Sequence, residues 1–93
     1  MPFEIILAPE AAANLKAFPA RLRTTVRAHL RHEPTRTSRS RIKRLRGMRQ
    51  PEYRLRVGEI RVFYDIVGST VEILAIVAKS EAERWLNQYG EPA

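Results

Sequence analysis

The sequence predicts an α+β fold in which two N-terminal helices pack on one face of an antiparallel sheet and a short helix closes the chain. Three observations support this fold class. Residues 53–64 alternate around a Gly-Glu pair, which is typical of a β-hairpin. Residues 71–78 are almost continuously apolar, as in a buried strand. Residues 20–32 and 82–89 repeat apolar side chains every three or four positions, which indicates amphipathic helices.

The N-terminal third of the chain predicts one strand followed by two helices. Residues 3–8 form a short apolar strand candidate that ends at Pro9, and Pro9 suits the first turn of a helix over residues 10–17. A second helix is predicted over about residues 20–32, because apolar residues recur there at every fourth position: Leu22, Val26 and Leu30. The polar loop that follows leads to the hairpin.

The hairpin, with strands over about 52–57 and 60–67, has a register that can be derived from its turn. Glycine at the first central position favours a two-residue type II′ turn at Gly58-Glu59. This turn places Arg56 directly opposite Arg61, and like charges in that position destabilise a sheet. We therefore expect the pair to serve a purpose other than folding.

A second two-residue turn, Gly68-Ser69, predicts the pairing of the hairpin with the last strand. In this register Phe63 opposes Leu74, Arg61 opposes Ile76 and Val62 opposes Ala75. One face of the sheet is then apolar enough to cover the two helices. The other face combines apolar and cationic side chains and is the candidate site: Phe63, Leu74, Ile76, Arg54, Arg56 and Arg61. The C-terminal helix is expected to pack there through Trp85 and Tyr89.

The charge of the chain is concentrated in its middle. The formal net charge is +7, and residues 20–61 hold 14 of the 17 basic residues but only three acidic ones. Fourteen of the basic residues are arginine, whose planar fork suits phosphate oxygens. A clustered excess of arginine is typical of proteins that bind a polyanion, and an RNA or DNA backbone is the expected partner.

Composition excludes several other classes of site and of protein. The 93-residue chain, expected to be one domain over residues 1–93, has no cysteine, which excludes disulfides and thiolate metal sites. No apolar run reaches the roughly 20 residues of a membrane span, and the N-terminus does not resemble a signal peptide. A soluble cytoplasmic protein without a metal, a small-molecule cofactor or a membrane partner is expected. Asp65, opposite Glu72, is expected to be solvated at the far end of the sheet or paired with a basic side chain.

Three short motifs follow one another in the second half of the chain: Arg44-Leu45-Arg46-Gly47, Tyr53-Arg54-Leu55-Arg56 and Arg61-Val62-Phe63-Tyr64. A polar turn and a final apolar strand come after them. In order and spacing these motifs resemble the RelE/ParE superfamily of bacterial toxins from type II toxin–antitoxin systems. The resemblance covers roughly the whole chain, because the superfamily also opens with strand, helix, helix. It implies a RelE-like fold with two helices on a four-stranded, mainly antiparallel sheet.

The resemblance also implies a function and a set of site residues. RelE-type toxins cleave mRNA in the ribosomal A site and are neutralised by a cognate antitoxin, which is expected here to be acidic. Carried over by position, the catalytic candidates are Arg54, Arg56, Arg61 and Lys79. The basic stretch before the hairpin is expected to contact RNA, with a solvated basic surface as the alternative: Lys43, Arg44, Arg46 and Arg49. The antitoxin is expected to bind the apolar part of the candidate face: Phe63, Leu74, Ile76 and Trp85.

Two alternatives to an endoribonuclease remain open. Arginines can stabilise charge on a phosphoryl group, but their high pKa makes them poor acids and bases. A tyrosine that RelE carries near its C-terminus corresponds here to Trp85 or Leu86. The chain could therefore be a ParE-like inhibitor of DNA gyrase without chemistry of its own, or an inactive RNA-binding relative of the toxins.

Overall fold

The structure is a computed structural model and describes residues 2–39 and 41–93. Within this part of the chain, helices and strands follow one another in an order that begins strand–helix–helix. The elements are β1 (Glu4–Leu7), α1 (Pro9–Leu15), α2 (Arg21–Leu30), β2 (Ile42–Arg44), β3 (Met48–Gln50), β4 (Tyr53–Val57), β5 (Ile60–Val67), β6 (Thr70–Ala78), α3 (Lys79–Tyr89) and β7 (Glu91–Pro92).

The main sheet has five strands in the order β1-β6-β5-β4-β2. β1 pairs with β6 in parallel, and the other neighbours are antiparallel. A second, two-stranded sheet joins β3 to β7. The predicted α+β class and its two N-terminal helices are confirmed. The predicted count of four strands in the sheet was too low, because β2 is only three residues long and mostly charged and so gives no apolar alternation to read.

The core lies between the sheet and the two N-terminal helices. The stripe predicted for α2 is buried: Leu22, Val26 and Leu30. These side chains meet the apolar face of the sheet. At the far end of this core Tyr64 is fully buried and its ring stacks on that of Tyr53, with centroids 5.4 Å apart. The Tyr64 hydroxyl donates a hydrogen bond to the carbonyl of Pro34 at 2.6 Å.

The pairing of β5 with β6 follows the predicted register only in the half next to the Gly68-Ser69 turn. Tyr64 opposes Ile73 as predicted, but Phe63 opposes Ala75, so that Leu74 is an extra residue in β6. This irregularity is a β-bulge, which places two residues opposite one. Beyond it every β6 side chain changes face, and Ile76 joins the core instead of the candidate face.

The three pairings predicted for Phe63, Arg61 and Val62 were therefore wrong. Arg61 opposes Val77 and Val62 opposes Ile76. A continuously apolar strand carries no alternation that could fix its register, since either face can be buried. The bulge was for this reason invisible in the sequence.

α3 covers part of the sheet face that lies opposite α1 and α2. The Trp85 ring stacks on Phe63 with centroids 5.0 Å apart and an interplanar angle of 7°. Its Nε1 donates to Glu10 Oε2 at 2.7 Å. The predicted packing of Trp85 on Phe63 is confirmed, whereas Tyr89 is 54% exposed and reaches only the Trp85 ring, 5.7 Å away. An ion pair between Arg49 and Glu91 holds β7 against β3.

None of the helices in the described part of the chain has the length and the apolar composition needed to cross a bilayer.

Candidate functional site

The β4–β5 hairpin has the register that its turn predicts. Gly58 has a φ of 57°, a left-handed value that glycine adopts without strain. Leu55 pairs with Val62, and Arg56 lies directly opposite Arg61. The like-charge pair predicted from the sequence is therefore present, on the face of the sheet that α1 and α2 leave free.

Arg61 is buried in this face, with 7% of its surface exposed. Its Nη1 donates to the carbonyl oxygen of Gly58 at 2.8 Å and to that of Ile60 at 3.0 Å. These bonds hold the guanidinium against the hairpin turn. Carbonyls carry no formal charge, so they leave the positive charge of Arg61 uncompensated.

Arg54 lies on β4, two residues before Arg56, and is half-buried. Its Nε is shielded from solvent and has no hydrogen-bond partner, which is uncommon for a buried donor. Burial, and after it the positive charges of Arg61 and Arg56, lower the pKa of the Arg54 guanidinium from its ordinary value. The three arginines are thus close enough to repel one another. None of the ion pairs among residues 2–39 and 41–93 involves any of them.

Two lysines extend this group, which we call the cationic face: Lys43, Arg54, Arg56, Arg61 and Lys79. Lys43 pairs with Arg54 across β2 and β4 and so shares its side of the sheet. Lys79 is the first residue of α3, and its backbone N–H donates to the carbonyl of Glu59 at 2.7 Å. The helix therefore begins beside the hairpin turn that also holds Arg61.

The other basic residues predicted to contact RNA do not join the cationic face. Arg44 points to the opposite side of the sheet, where its guanidinium lies 5.7 Å from the centre of the Tyr53 ring and 3.9 Å from Glu52. Arg49 is paired with Glu91. Arg46 is exposed in the turn between β2 and β3. Of the four predicted residues, only Lys43 is brought to the arginine cluster.

The apolar residues predicted to bind the antitoxin do not form a free patch. Phe63 is fully buried beneath Trp85, and Ile76 is 2% exposed within the core. Leu74 and Trp85 are half-buried. The placement of Ile76 on this face was wrong because of the bulge, and Phe63 is covered by the chain's own α3.

Asp65 has a structural role that sequence reasoning missed. It is 7% exposed, and its carboxylate accepts hydrogen bonds from the backbone N–H of Glu52 at 2.7 Å and from Gln50 Nε2 at 2.8 Å. The expectation of a solvated or ion-paired carboxylate was therefore wrong. Nothing in the sequence pairs Asp65 with residues thirteen to fifteen positions earlier. Its bonds tie the segment that precedes β4 to β5.

The chemistry open to this face is electrostatic. Its strands hold guanidinium donors in place before any ligand arrives, and preorganised donors stabilise developing negative charge well. The nearby phenol of Tyr64 is not part of the site, because it lies in the core and is bonded to Pro34. Lys79, exposed at the start of α3, is the amine placed beside the turn.

Comparisons with known proteins bear on the fold. No protein-family model matches the sequence, and no curated protein sequence matches it. Among solved structures, the toxin–antitoxin complex RelBE2 from Mycobacterium tuberculosis matches with a TM-score of 0.63 and 26% identity, over 84% of this chain and 99% of the matched chain. The RelB–RelE antitoxin–toxin complex from Methanococcus jannaschii matches with a TM-score of 0.66 and 18% identity, over 86% of this chain and 96% of the matched chain.

These matches agree with the order of strands and helices. The chain has a RelE-like toxin–antitoxin fold.

Proposed function

We propose that this chain is the toxin of a type II toxin–antitoxin system and that it cleaves mRNA on the ribosome. The observation that carries the proposal is the group Arg54, Arg56 and Arg61, held together on rigid strands without a carboxylate partner. Such an arrangement costs folding free energy, and a bound phosphate group would compensate it. The RelE-like fold supports RNA as the source of that phosphate.

The cationic face would act on the phosphate at the point of cleavage. Attack by the ribose 2′-hydroxyl places extra negative charge on the phosphoryl oxygens, and the guanidinium groups of Arg54 and Arg61 provide positive charge that the strands already hold in place. The proton of the attacking 2′-hydroxyl leaves to solvent water, and Lys79, which begins α3 beside the hairpin turn, gives a proton to the departing 5′-oxygen. The ribosome would supply the alignment of the 2′-hydroxyl that this chain does not provide.

The proposed partner in neutralisation is an acidic antitoxin. The two solved structures described above are complexes of toxin and antitoxin. A chain of net charge +7 is suited to a negatively charged partner. The ribosome and mRNA place the proposed activity in the cytoplasm.

A second candidate is inhibition of DNA gyrase without chemistry. It is favoured by one observation, namely that the hydroxyl of Tyr64 is bonded within the core and so is not available to the cationic face. A face of this kind binds a phosphate backbone without needing a general base.

Induced expression with two readouts separates these functions. For the nuclease, primer extension should show new mRNA ends inside coding regions soon after growth stops. Arg61→Ala should reduce the rate of cleavage by about 10²-fold, the cost of losing one preorganised donor. Arg36→Ala and Arg39→Ala are the matched controls, since these arginines lie exposed in the loop after α2.

Equal loss of activity in all three variants would contradict the site, because charge would then act only as a diffuse field. DNA breaks with continued translation would contradict the nuclease and support the gyrase inhibitor.

A further inference from the structure

A pocket of about 310 Å³ lies between the end of α2 and the start of β2. Its polar and charged lining comes from these two segments and from the loop that joins them: His29, His32, Glu33, Arg36, Ser38 and Arg41. We call it the edge pocket, because β2 is the last strand at this edge of the main sheet.

The edge pocket carries an uncompensated positive charge. Glu33 is the only acidic side chain among the described residues that line it, and its carboxylate is paired with Arg36 Nη1 at 2.9 Å. None of the ion pairs among residues 2–39 and 41–93 involves Arg41. Burial, and after it the charge of Arg41, lower the pKa of His29 from its ordinary value of 6.5. The imidazole is therefore neutral at pH 7 and donates through one of its two nitrogens.

The loop wall of the edge pocket is held in place by hydrogen bonds. The hydroxyl oxygen of Ser38 accepts from the backbone N–H of Arg41 at 3.1 Å and from that of Ile42 at 3.3 Å. The N–H of Ser38 donates to the carbonyl of Ile42 at 2.8 Å, which closes the loop onto β2. Because the Ser38 hydroxyl only accepts in these bonds, its own proton remains for a ligand. A hydroxyl, an imidazole and a guanidinium thus line one preformed site.

Arg41 joins the edge pocket to the cationic face. Its backbone carbonyl accepts a hydrogen bond from the N–H of Arg56 at 2.8 Å, and Arg56 lies opposite Arg61. The backbones of these three arginines therefore follow one another across the sheet, from β5 through β4 to the residue before β2. Neighbouring strands are about 4.8 Å apart, so this row is about 10 Å long.

We infer that the edge pocket binds a second phosphate group of the RNA strand whose scissile phosphate lies on Arg54 and Arg61. The inference rests on the proposed function, because it takes RNA as the ligand. The strand crosses the sheet from β5 to β2, and Arg41 and His29 donate to a phosphate that flanks the cleaved one. A series of linked phosphates matches the row of cations along its length, whereas one small anion leaves part of the row unmatched. The last carbonyls of α2 carry partial negative charge, which the full charge of Arg41 offsets.

Binding of 2′-O-methyl RNA, which cannot be cleaved by attack of the 2′-oxygen, tests the pocket on the isolated chain. Arg41→Gln should weaken binding of an octanucleotide about tenfold, through the loss of one charge-assisted contact. It should also reduce the slope of log K against log salt by about 0.7. A dinucleotide, which has one internucleotide phosphate, should bind to Arg41→Gln as it does to wild type. Arg39→Gln is the matched control, since Arg39 is exposed in the same loop and does not line the pocket.

The imidazole of His29 gives a local readout by NMR. The chain has two histidines, so a His32→Gln variant assigns the signals. The octanucleotide should raise the pKa of His29, because a nearby anion favours the imidazolium form. The dinucleotide should leave this pKa unchanged.

Two results would overturn the inference. Equal weakening of octanucleotide binding by Arg41→Gln and Arg39→Gln would show that charge acts only as a diffuse field. An equal rise in the pKa of His29 with inorganic phosphate, at the concentration at which the octanucleotide saturates, would show that the pocket holds a free anion.

The mRNA cleavage assay keeps this inference apart from the proposed function. Absence of cleavage by the wild-type chain would reject the proposed function, while octanucleotide binding that depends on Arg41 and not on Arg39 would still support the pocket. Cleavage by the wild-type chain, with equal binding by the two variants, would leave the proposed function standing and reject the pocket.

Discussion

Arg56 and Arg61 lie directly opposite each other on β4 and β5, yet one side chain is exposed and the other is buried. The buried guanidinium of Arg61 donates to the carbonyls of Gly58 and Ile60, whereas the exposed side chain of Arg56 donates no hydrogen bond to the residues that the structure describes. The two members of the pair therefore have different structural roles, although they occupy equivalent positions on either side of the hairpin turn.

The first prediction compares the removal of each arginine. Arg56→Ala should raise the free energy of unfolding by a few tenths of a kcal/mol, because it relieves like-charge repulsion alone. Arg61→Ala should lower the free energy of unfolding by about 1 kcal/mol. This substitution relieves the same repulsion, but it also removes the two hydrogen bonds to the carbonyls of Gly58 and Ile60. Like-charge repulsion alone would predict that Arg61→Ala keeps or slightly raises stability, and the two carbonyl contacts reverse that expectation. Urea unfolding of both variants is the measurement, and equal changes in the free energy of unfolding would contradict the prediction.

The second prediction concerns the attachment of α3. Trp85→Ala should lower the free energy of unfolding by about 2 kcal/mol, through the loss of stacking and of buried area on Phe63. Trp85→Phe should cost less, because it keeps a stacked ring and loses the hydrogen bond to Glu10. Thermal melting of the two variants checks the order. A smaller loss of stability in Trp85→Ala than in Trp85→Phe would show that β7, and not the stacking of Trp85 on Phe63, holds α3 in place.

The third prediction concerns Asp65. Asp65→Asn should lower the free energy of unfolding by about 2 kcal/mol, since an amide cannot accept both bonds from Glu52 and Gln50 as a carboxylate does. The matched control is Glu72→Gln on the paired position of β6, which should change stability far less. Hydrogen exchange at the Glu52 amide provides a local measurement, and it should accelerate only in the Asp65 variant.

The fourth prediction concerns stability at high pH. Burial, and after it the neighbouring Tyr53, raise the pKa of the Tyr64 phenol well above its ordinary value of 10.0. The unfolded chain therefore loses this proton before the folded chain does. It follows that the contribution of Tyr64 is full below pH 10 and is lost as the pH rises above that value.

Tyr64→Phe is the test of this dependence. At pH 7 the variant should be about 1 kcal/mol less stable, because the carbonyl of Pro34 loses its donor. Between pH 9 and 11, a range chosen to bracket the ordinary phenol pKa of about 10, the difference from wild type should shrink. A constant difference across that range would contradict the burial of the phenol.

The parts of the fold that sequence predicted are those with a local cause. Gly58 fixed the hairpin turn, and through it the opposition of Arg56 and Arg61, because turn geometry determines register over short distances. The stripe on α2 was readable for the same reason, since helical periodicity is a property of neighbouring residues.

The parts that sequence did not predict depend on residues far apart in the chain. The bulge at Leu74 is set by what packs on either face of β6, and the strand is apolar on both. The bonds of Asp65 to Gln50 and Glu52 bring together two segments that share no pattern. For the candidate site, the arginines were correctly placed, while the apolar residues beside them were misplaced or covered by α3.

The parallel pairing of β1 with β6 has a consequence for the order in which the chain can fold. Glu4 and Leu7 find their partners at Thr70 and Ile73, so the first strand synthesised must wait for nearly the last one. Domains fold during synthesis from the N-terminus, and contacts between distant residues form slowly. The hairpins β4–β5 and β5–β6 can form as soon as they emerge, but the two N-terminal helices have no sheet to cover until residue 78 has been made. A product shortened before β6 would therefore expose its apolar surfaces to proteases.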